Sequence, residues 1–347
     1  MARYYLGLAD FKRIIEKLLE RSDVYAPLPH GERTYFEKVS PENIESIVYD
    51  SPRPVDPPKS ALFPARELVA RYFGGGEPSR RPLTVIGVKG CDAAALAAYD
   101  RVMLEGDFQE SSYAEMRKSS LIIGSDCARS LPVCFCTLVG LKPYPESGVD
   151  LNLSTVEGGF IVEVISDSGK RFFDEFSFFF RDGTTEELAE MENVRERVEA
   201  SVASANSDFK FRLPIHEIVK GTLGSRQWRE ITRFCTECGA CNISCPTCTC
   251  FTLKDDAVNG EFERTRLWDA CLKGGYARVA GGANSRPLLH QRYNNRIQCK
   301  FDYSFERLGN YTCTGCGRCI EACPAKIDMR EALCELERGM APSARLK

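Results

Sequence analysis

Histidine and tryptophan are scarce in this chain of 347 residues, which contains three and two of them respectively. With only His30, His216 and His290 available, histidine acid–base catalysis and a histidine-rich metal site are disfavoured, and structural roles are the default. A basic excess is also absent, because the formal net charge is −3, so the composition gives no sign of nucleic acid binding. One local arginine cluster is expected on a solvated or partner-facing surface: Arg278, Arg286, Arg292 and Arg296.

Long apolar stretches are missing as well. No segment approaches the roughly 20 consecutive apolar residues of a membrane span. The opening residues, M-A-R-Y-Y-L-G-L-A-D-F-K, lack the apolar core and cleavage site of a signal peptide. No G-x-G-x-x-G follows a predicted strand, so a flavin or nicotinamide site is expected on a partner and not on this chain. We therefore expect a globular, cytoplasmic protein.

Cysteine, by contrast, is abundant. The chain has 17 cysteines, an odd number, and most of them fall in tight clusters. Such clustering does not suggest a disulfide framework and is typical of metal binding in a reducing compartment.

Two of these clusters have the same spacing. Phe234–Phe251 is F-C-T-E-C-G-A-C-N-I-S-C-P-T-C-T-C-F, and Cys313–Pro324 is C-T-G-C-G-R-C-I-E-A-C-P. Both contain C-x2-C-x2-C-x3-C-P, the bacterial ferredoxin run, in which the fourth cysteine binds the other of two [4Fe-4S] clusters. Gly239 and Gly317 follow the second cysteine, where the backbone must bend closely. The predicted ligand sets are Cys235, Cys238, Cys241 and Cys323 for cluster 1, and Cys313, Cys316, Cys319 and Cys245 for cluster 2.

Two other metal interpretations compete for these cysteines. Paired C-x2-C elements also form four-thiolate zinc sites, but zinc explains neither the third and fourth cysteines nor the proline. The spacing of Cys241, Cys245 and Cys248 matches that of radical S-adenosylmethionine enzymes, although the duplicated run uses these cysteines more completely. The spacing therefore favours iron and sulfur in a dicluster arrangement.

Four further cysteines follow predicted strands in the N-terminal half. Leu83–Val88 is a buried strand and Ala93–Leu104 a helix, with Cys91 on the turn between them. Cys127 follows the strand Ser120–Gly124. Neighbouring parallel strands end at the same edge of a sheet, and a helix N-terminus stabilises a thiolate. The spacing leaves two interpretations open, a third [4Fe-4S] cluster or four buried thiols acting as small hydrophobes. The residues concerned are Cys91, Cys127, Cys134 and Cys136.

The insertion between the two ferredoxin runs, residues 246–312, holds cysteines that the runs do not need. They are additional ligands or spare buried thiols, and the spacing alone does not decide between these roles. The possible additional ligands are Cys248, Cys250 and Cys271, and the role of Cys299 is undetermined. Elsewhere, Phe160–Ile165 and Arg171–Phe180 are predicted as the strands of a hairpin.

Together these elements resemble the beta subunit of cytoplasmic sulfhydrogenases, which are NiFe hydrogenase complexes, and a related subunit of anaerobic sulfite reductase. The resemblance extends over about residues 57–330. It is carried by these motifs: P-P-K-S-A-L-F-P at 57–64, G-V-K-G-C-D-A-A-A-L at 87–96, I-G-S-D-C and C-F-C-T within 123–137, C-P-T-C-T-C-F at 245–251, R-L-W-D-A-C at 266–271 and the closing C-T-G-C-G-R-C.

The resemblance implies a function. Such subunits carry several [4Fe-4S] clusters and connect a flavin- and NAD(P)-binding reductase subunit to a catalytic subunit. It favours a third cluster on Cys91, Cys127, Cys134 and Cys136, and it implies that Cys250 and Cys271 have a role. It does not identify the terminal substrate or the direction of electron flow.

We therefore predict an α/β N-terminal domain (residues 1–220) with a [4Fe-4S] site. An α-helical, dicluster ferredoxin-like domain (residues 221–347) follows, with its insertion at 246–312. The predicted function is electron transfer within a cytoplasmic, anaerobic oxidoreductase complex, with no catalytic residue on this chain. One alternative is a self-sufficient radical or flavin-dependent enzyme with a three-cysteine cluster as its active centre. A zinc-bearing assembly protein is another.

Overall fold

The computed structural model describes residues 3–72, 81–258 and 261–340. The first part of the chain forms β1 (Arg3–Gly7), α1 (Leu8–Arg21), β2 (Asp23–His30), β3 (Arg33–Lys38), α2 (Lys59–Leu62), β4 (Arg66–Tyr72), β5 (Leu83–Val88), α3 (Gly90–Leu104), α4 (Ser111–Ser119), β6 (Leu121–Ser125), β7 (Leu151–Val156) and β8 (Gly159–Val164). The second part forms α5 (Asp167–Glu175), β9 (Phe180–Asp182), α6 (Thr185–Ala205), α7 (Ile215–Gly221), α8 (Gln227–Ile231), α9 (Ala240–Ile243), β10 (Phe251–Val258), β11 (Glu261–Trp268), α10 (Leu289–Phe301), α11 (Tyr303–Leu308), α12 (Arg318–Glu321) and α13 (Met329–Arg338).

The larger of the two sheets in the described ranges has the strand order β3-β2-β5-β6-β7-β8-β1-β9. Strands β2, β5, β6 and β7 are parallel neighbours, and antiparallel strands flank them. Every residue of β5 is buried, as expected for a central parallel strand covered on both faces. The crossover through α3 and α4 places the ends of β5 and β6 side by side. Cys91 and Cys127 follow those two ends, as the sequence predicted.

Helix α1 covers one face of this sheet. Phe11, Ile14, Ile15 and Leu18 are buried along one side of it, at the i, i+3, i+4, i+7 spacing of an amphipathic helix. Burying each such side chain contributes about 1.5–3 kcal/mol. On the described residues, no helix has the length and apolar character needed to cross a membrane.

A three-stranded antiparallel sheet, in the order β10-β11-β4, joins the insertion to the N-terminal half. Strands β10 and β11 form a hairpin, and β11 pairs with β4 from Phe262 opposite Tyr72 to Leu267 opposite Arg66. The insertion is therefore anchored on a strand about 190–200 residues earlier in the chain, as the paired residue numbers show.

The C-terminal helices surround a separate apolar core. Trp228, Tyr293, Phe301 and Leu333 belong to it, and Phe135 from the C-F-C segment inserts into the same core. The mixed α and β content predicted from sequence is confirmed. The domain boundary at residue 220 stays a prediction.

The predicted strand Arg171–Phe180 is wrong. Residues Asp167–Glu175 form helix α5, because Ser166 is its N-cap and accepts a hydrogen bond from the Gly169 amide. The D-S-G sequence that suggested a hairpin turn is thus the first turn of a helix. Strand β8 pairs instead with β7 and β1.

Candidate metal centres

The two C-terminal cysteine loops have the same backbone shape. Left-handed φ angles occur at their third residue, 56° at Glu237 and 63° at Gly315. They recur at the fifth residue, 75° at Gly239 and 71° at Gly317. Residues other than glycine adopt this conformation at an energetic cost, so the strained Glu237 shows that the fold imposes the loop shape. Each loop leads into a single helical turn, α9 or α12.

The first cavity is lined by Cys241, Cys323 and Cys319, together with Tyr293 and Arg296. Burial raises the pKa of Cys235, and its neighbouring thiols are those of Cys241, Cys323 and Cys238. The backbone N–H of Ile327 donates a hydrogen bond of 3.4 Å to Cys323 Sγ. The structure therefore gathers the four cysteines predicted for cluster 1, with Cys238 exposed at the surface.

The second cavity contains the complete set predicted for cluster 2. Arg296, Lys300 and Thr314 also line it. Cys245, from the first run, thus meets the second run, as the crossed pattern of a dicluster protein requires. The four thiols are Cys245, Cys313, Cys316 and Cys319.

The third cavity brings together the four N-terminal cysteines, and Cys316 lines it as well. The P-V-C-F-C segment lies directly against the second C-terminal loop, where Phe135 N donates to the Gly315 carbonyl at 2.8 Å. A Cβ on Gly315 would lie 2.5 Å from backbone atoms of Cys136, and one on Gly317 would lie 2.1 Å from the Val133 carbonyl. Glycine at both positions is required by this backbone contact. The four thiols are Cys91, Cys127, Cys134 and Cys136.

The three cavities form a continuous row. Cys316 lines the second and third cavities, while Cys319 and Arg296 line the first and second.

Burial raises the pKa of several of these thiols. Burial raises the pKa of Cys127 to about 12 and that of Cys319 to about 12. Burial also raises the pKa of Cys136 and Cys313 strongly. Thiolate ligation therefore depends on the positive charge of a bound metal to displace the protons.

Buried cations surround the same thiols. Arg296, Lys300 and Lys59 are 2%, 3% and 3% exposed. Their nitrogens bind uncharged oxygens: Arg296 Nη2 the Cys241 carbonyl at 3.0 Å, Lys300 Nζ the Thr247 hydroxyl at 2.7 Å, and Lys59 Nζ the Cys248 carbonyl at 3.1 Å.

A buried cation requires a counter-charge. In the described part of the chain, no carboxylate lies within ion-pair distance of these three, so anionic sulfur is the available counter-charge. Arg296 Nε and Thr314 Oγ1 are buried without a hydrogen-bond partner, and both residues line the second cavity. Such donors suit the sulfur atoms of an iron–sulfur cluster. The residues present therefore fit that group.

The arrangement does not favour zinc. A four-thiolate zinc site holds its sulfurs about 3.8 Å apart, since Zn–S is about 2.3 Å. Over the ranges that the structure describes, no three His, Cys, Asp or Glu side chains are placed to hold a single metal ion. The radical-enzyme interpretation is not favoured either, because Cys241 and Cys245 line different cavities.

The remaining cysteines divide into two groups. Cys248, Cys250 and Cys271 lie close together at the base of the β10–β11 hairpin, linked by hydrogen bonds. Cys299 is exposed on α10, and Cys334 is half-buried on α13.

Sequence reasoning missed the buried cations. Arg292 and Arg296 were expected at a solvated surface, but they are 3% and 2% exposed, and that expectation is wrong for both. Helix α10 turns both arginines toward the cysteine loops, where Arg292 pairs with Glu237 at 2.6 Å. Their i, i+4 spacing was the available signal, because it places them on one face of a helix.

Comparison with known proteins adds two findings. Residues 234–327, which contain both C-terminal runs, match the family described as a 4Fe-4S dicluster domain. The chain is 31% identical over 340 residues to "Sulfhydrogenase 2 subunit beta" of Pyrococcus furiosus, an alignment that covers 95% of this chain and 97% of that relative.

Proposed function

The chain belongs to the sulfhydrogenase beta-subunit family, and from that kinship we propose that it relays single electrons between two partner subunits. One partner binds flavin and NAD(P), and the other is a catalytic subunit of the hydrogenase or sulfite reductase type. The dicluster family match supports the iron–sulfur character of this subunit. The chain itself supplies no catalytic residue in this proposal.

The proposed ligands are the three cysteine quartets. Cys235, Cys238, Cys241 and Cys323 hold cluster 1, Cys245, Cys313, Cys316 and Cys319 hold cluster 2, and Cys91, Cys127, Cys134 and Cys136 hold a third. When bound, a [4Fe-4S] cluster takes up or releases one electron at a time.

The observation that carries this proposal is the continuous row of cavities. Cys316 and Cys319 each line two of them, so neighbouring quartets are separated by no more than a ligand side chain. The protein thereby holds its redox sites adjacent, which is the requirement for electron transfer in single steps along the chain.

Residues of this chain also influence the reduction potentials of the proposed clusters. Arg296 and Lys300 place positive charge beside the second quartet, and Lys89 lies fully buried near Cys127 and Cys91. Lys89 Nζ is held by the carbonyls of Tyr49 and Asp126 at 3.1 and 2.9 Å. Buried cations and N–H donors stabilise the more negative, reduced form of a cluster.

Partners are proposed to dock at the two ends of the row. At one end Cys238 is exposed, and Phe234, which directly precedes Cys235, is 71% exposed. At the other end Arg129 and Lys142 are among the residues that line the third cavity. We place the complex in the cytoplasm, where thiols remain reduced. The proposed division of the chain remains residues 1–220 and 221–347, with the insertion at 246–312.

The test is electron passage through the intact complex. Under anaerobic conditions, NAD(P)H added to the complex should bleach the visible absorption of iron–sulfur clusters in this subunit. Complex assembled without this chain should retain flavin reduction and lose electron delivery to the catalytic subunit. Unchanged delivery without the chain would refute the relay.

A further inference from the structure

Three thiols outside the quartets meet at the base of the insertion hairpin. Cys250 immediately precedes β10, and Cys271 follows the end of β11. Phe251 pairs with Trp268, and Asp269 N donates to the Cys250 carbonyl at 2.9 Å. The register of the hairpin thus places Cys250 opposite Asp269, two residues before Cys271. Cys248 lies two residues before Cys250.

A buried amide connects these thiols. Asn242 Nδ2 donates to Cys271 Sγ at 3.3 Å and to Cys248 Sγ at 3.6 Å, and Asn242 is 1% exposed. The thiols of Cys250 and Cys271 are hydrogen-bonding neighbours. A buried amide that directs its donors at two different sulfurs is best satisfied when those sulfurs carry negative charge.

The N-terminal half fixes the backbone at this point. The Cys248 carbonyl accepts hydrogen bonds from Lys59 Nζ at 3.1 Å and from Tyr99 Oη at 2.9 Å. Lys59 is 3% exposed and its Nζ lies 4.2 Å from the ring centroid of Trp268. These two donors therefore fix the backbone position of Cys248, and the charge of the buried Lys59 favours anionic sulfur at the neighbouring Cys248 and Cys250.

From these contacts we propose that Cys248, Cys250 and Cys271 bind a fourth [4Fe-4S] cluster through three thiolates. With three thiolates, one iron would lack a protein sulfur ligand. Tyr276, which is 39% exposed, hydrogen-bonds Cys250 through its hydroxyl at this site. This inference rests on the proposed function, because Cys248 neighbours Cys245 of the second quartet and so joins the same relay.

Two simpler interpretations of these three thiols, a disulfide and a single metal ion, explain fewer of the observed contacts. A disulfide would join two sulfurs and leave the third thiol and the shared amide donor unexplained. A single metal ion is not supported, because no three such side chains in the described ranges are placed to hold one. A cubane uses all three thiols together.

The test replaces Cys250 or Cys271 by alanine in the full chain, with Cys299→Ala as the matched control at an exposed thiol. Cys250→Ala and Cys271→Ala should each lower iron and acid-labile sulfide by roughly four atoms per chain, because a cubane holds four of each. Cys299→Ala should leave both unchanged. Full iron content in Cys250→Ala and Cys271→Ala would overturn the proposal.

The unmodified chain provides a second test if those variants fail to fold. Anaerobically reconstituted full chain should contain roughly sixteen irons for four clusters, against roughly twelve for three. Mild oxidation should release one iron from the open site and generate a [3Fe-4S] EPR signal. Roughly twelve irons with no such signal would reject the fourth cluster while leaving the relay intact, whereas an iron-free chain would reject both.

Discussion

Arg318 and Asp92 form a bidentate ion pair, with Nη1 2.5 Å from Oδ1 and Nη2 2.8 Å from Oδ2. Their side chains are 1% and 0% exposed. Arg318 precedes Cys319 of the second quartet, and Asp92 follows Cys91 of the third. Arg318 also donates to the carbonyls of Pro54 and Val55. This pair therefore fixes the position of one quartet relative to the next.

Loss of one partner should destabilise the fold strongly. Asp92→Ala leaves the Arg318 guanidinium buried without its counter-charge, so we expect a loss of about 3–5 kcal/mol in unfolding free energy. Chemical denaturation of the anaerobic protein measures this loss. Asp255→Ala is the control, because the Asp255–Arg264 pair lies on the surface and should contribute little. Equal effects of the two substitutions would contradict the structural role.

Gly315 should tolerate no side chain. In Gly315→Ala the new Cβ would overlap backbone atoms of Cys136, so the third quartet should separate from the second and lose its iron, roughly four atoms per chain. Gly309→Ala is a matched control, since Gly309 has a φ of 72° with nothing within 4 Å of its Cβ position. Backbone strain alone should lower the melting temperature in both variants, whereas loss of iron is expected only in Gly315→Ala, where the new Cβ overlaps Cys136. Retention of all iron in Gly315→Ala would show that the close backbone contact between Gly315 and Cys136 is not needed to hold the third quartet in place.

Arg296 should raise the reduction potentials of two clusters. Arg296→Gln removes a buried positive charge that lines the first and second cavities, so both potentials should fall by on the order of 50–150 mV. A potentiometric titration followed by EPR measures the change. Arg292→Lys is the control, because Arg292 pairs with Glu237 and lines neither of these cavities. If the reduction potential of only one cluster changed, or of neither, the proposal that Arg296 affects both clusters would be wrong.

Low pH should weaken the ion pairs of Arg195, which lie next to the third quartet. Arg195 binds Asp126, the residue before Cys127, at 2.7 Å and also binds Glu163. Burial acts to raise the pKa of Glu163, but the hydrogen bond and charge of Arg195 outweigh it and hold that pKa below its usual value. The resulting stabilisation is complete above the ordinary Glu pKa of about 4.3 and is lost as pH falls through the lower, folded value.

Comparison with Glu163→Gln measures this effect. The difference in unfolding free energy between the natural chain and the variant should be constant near neutral pH and should shrink below about pH 4.3. A difference that grows on acidification would contradict the sign of the pKa shift.

Local spacing predicted much of the site. The C-x2-C-x2-C-x3-C-P runs are short loops, so their spacing predicts that the first three sulfurs of each run lie together, and the ferredoxin pattern predicts that the fourth joins the other run. The placement of Cys91 near Cys127 followed from the adjacency of parallel strand ends. Both inferences needed only information held within a few residues of each cysteine or in one general rule of sheets.

The remaining features depended on contacts between distant parts of the chain. Pairing of β11 with β4 has no local signature, so the attachment of the insertion to the N-terminal half could not be derived from spacing. The burial of Arg296 depended on how helix α10 packs against the cysteine loops. The strand predicted over Arg171–Phe180 was wrong, because its aromatic residues also suit an amphipathic helix once Ser166 caps it.

The third quartet can be tested directly by removing one of its members. Cys91→Ala should lower the iron content by roughly four atoms per chain and remove one cluster from the EPR redox titration. The half-buried Cys334 is outside every quartet, so Cys334→Ala should change neither quantity. Unchanged iron in Cys91→Ala would show that the four N-terminal thiols are not ligands.

The central claim is that three neighbouring cysteine quartets hold iron–sulfur cubanes. Iron and acid-labile sulfide quantitation on the full chain, purified without oxygen, tests it most directly. We predict a brown protein with roughly twelve or more irons per chain and an equal amount of sulfide. A colourless chain that contains zinc, or no metal, would contradict the account.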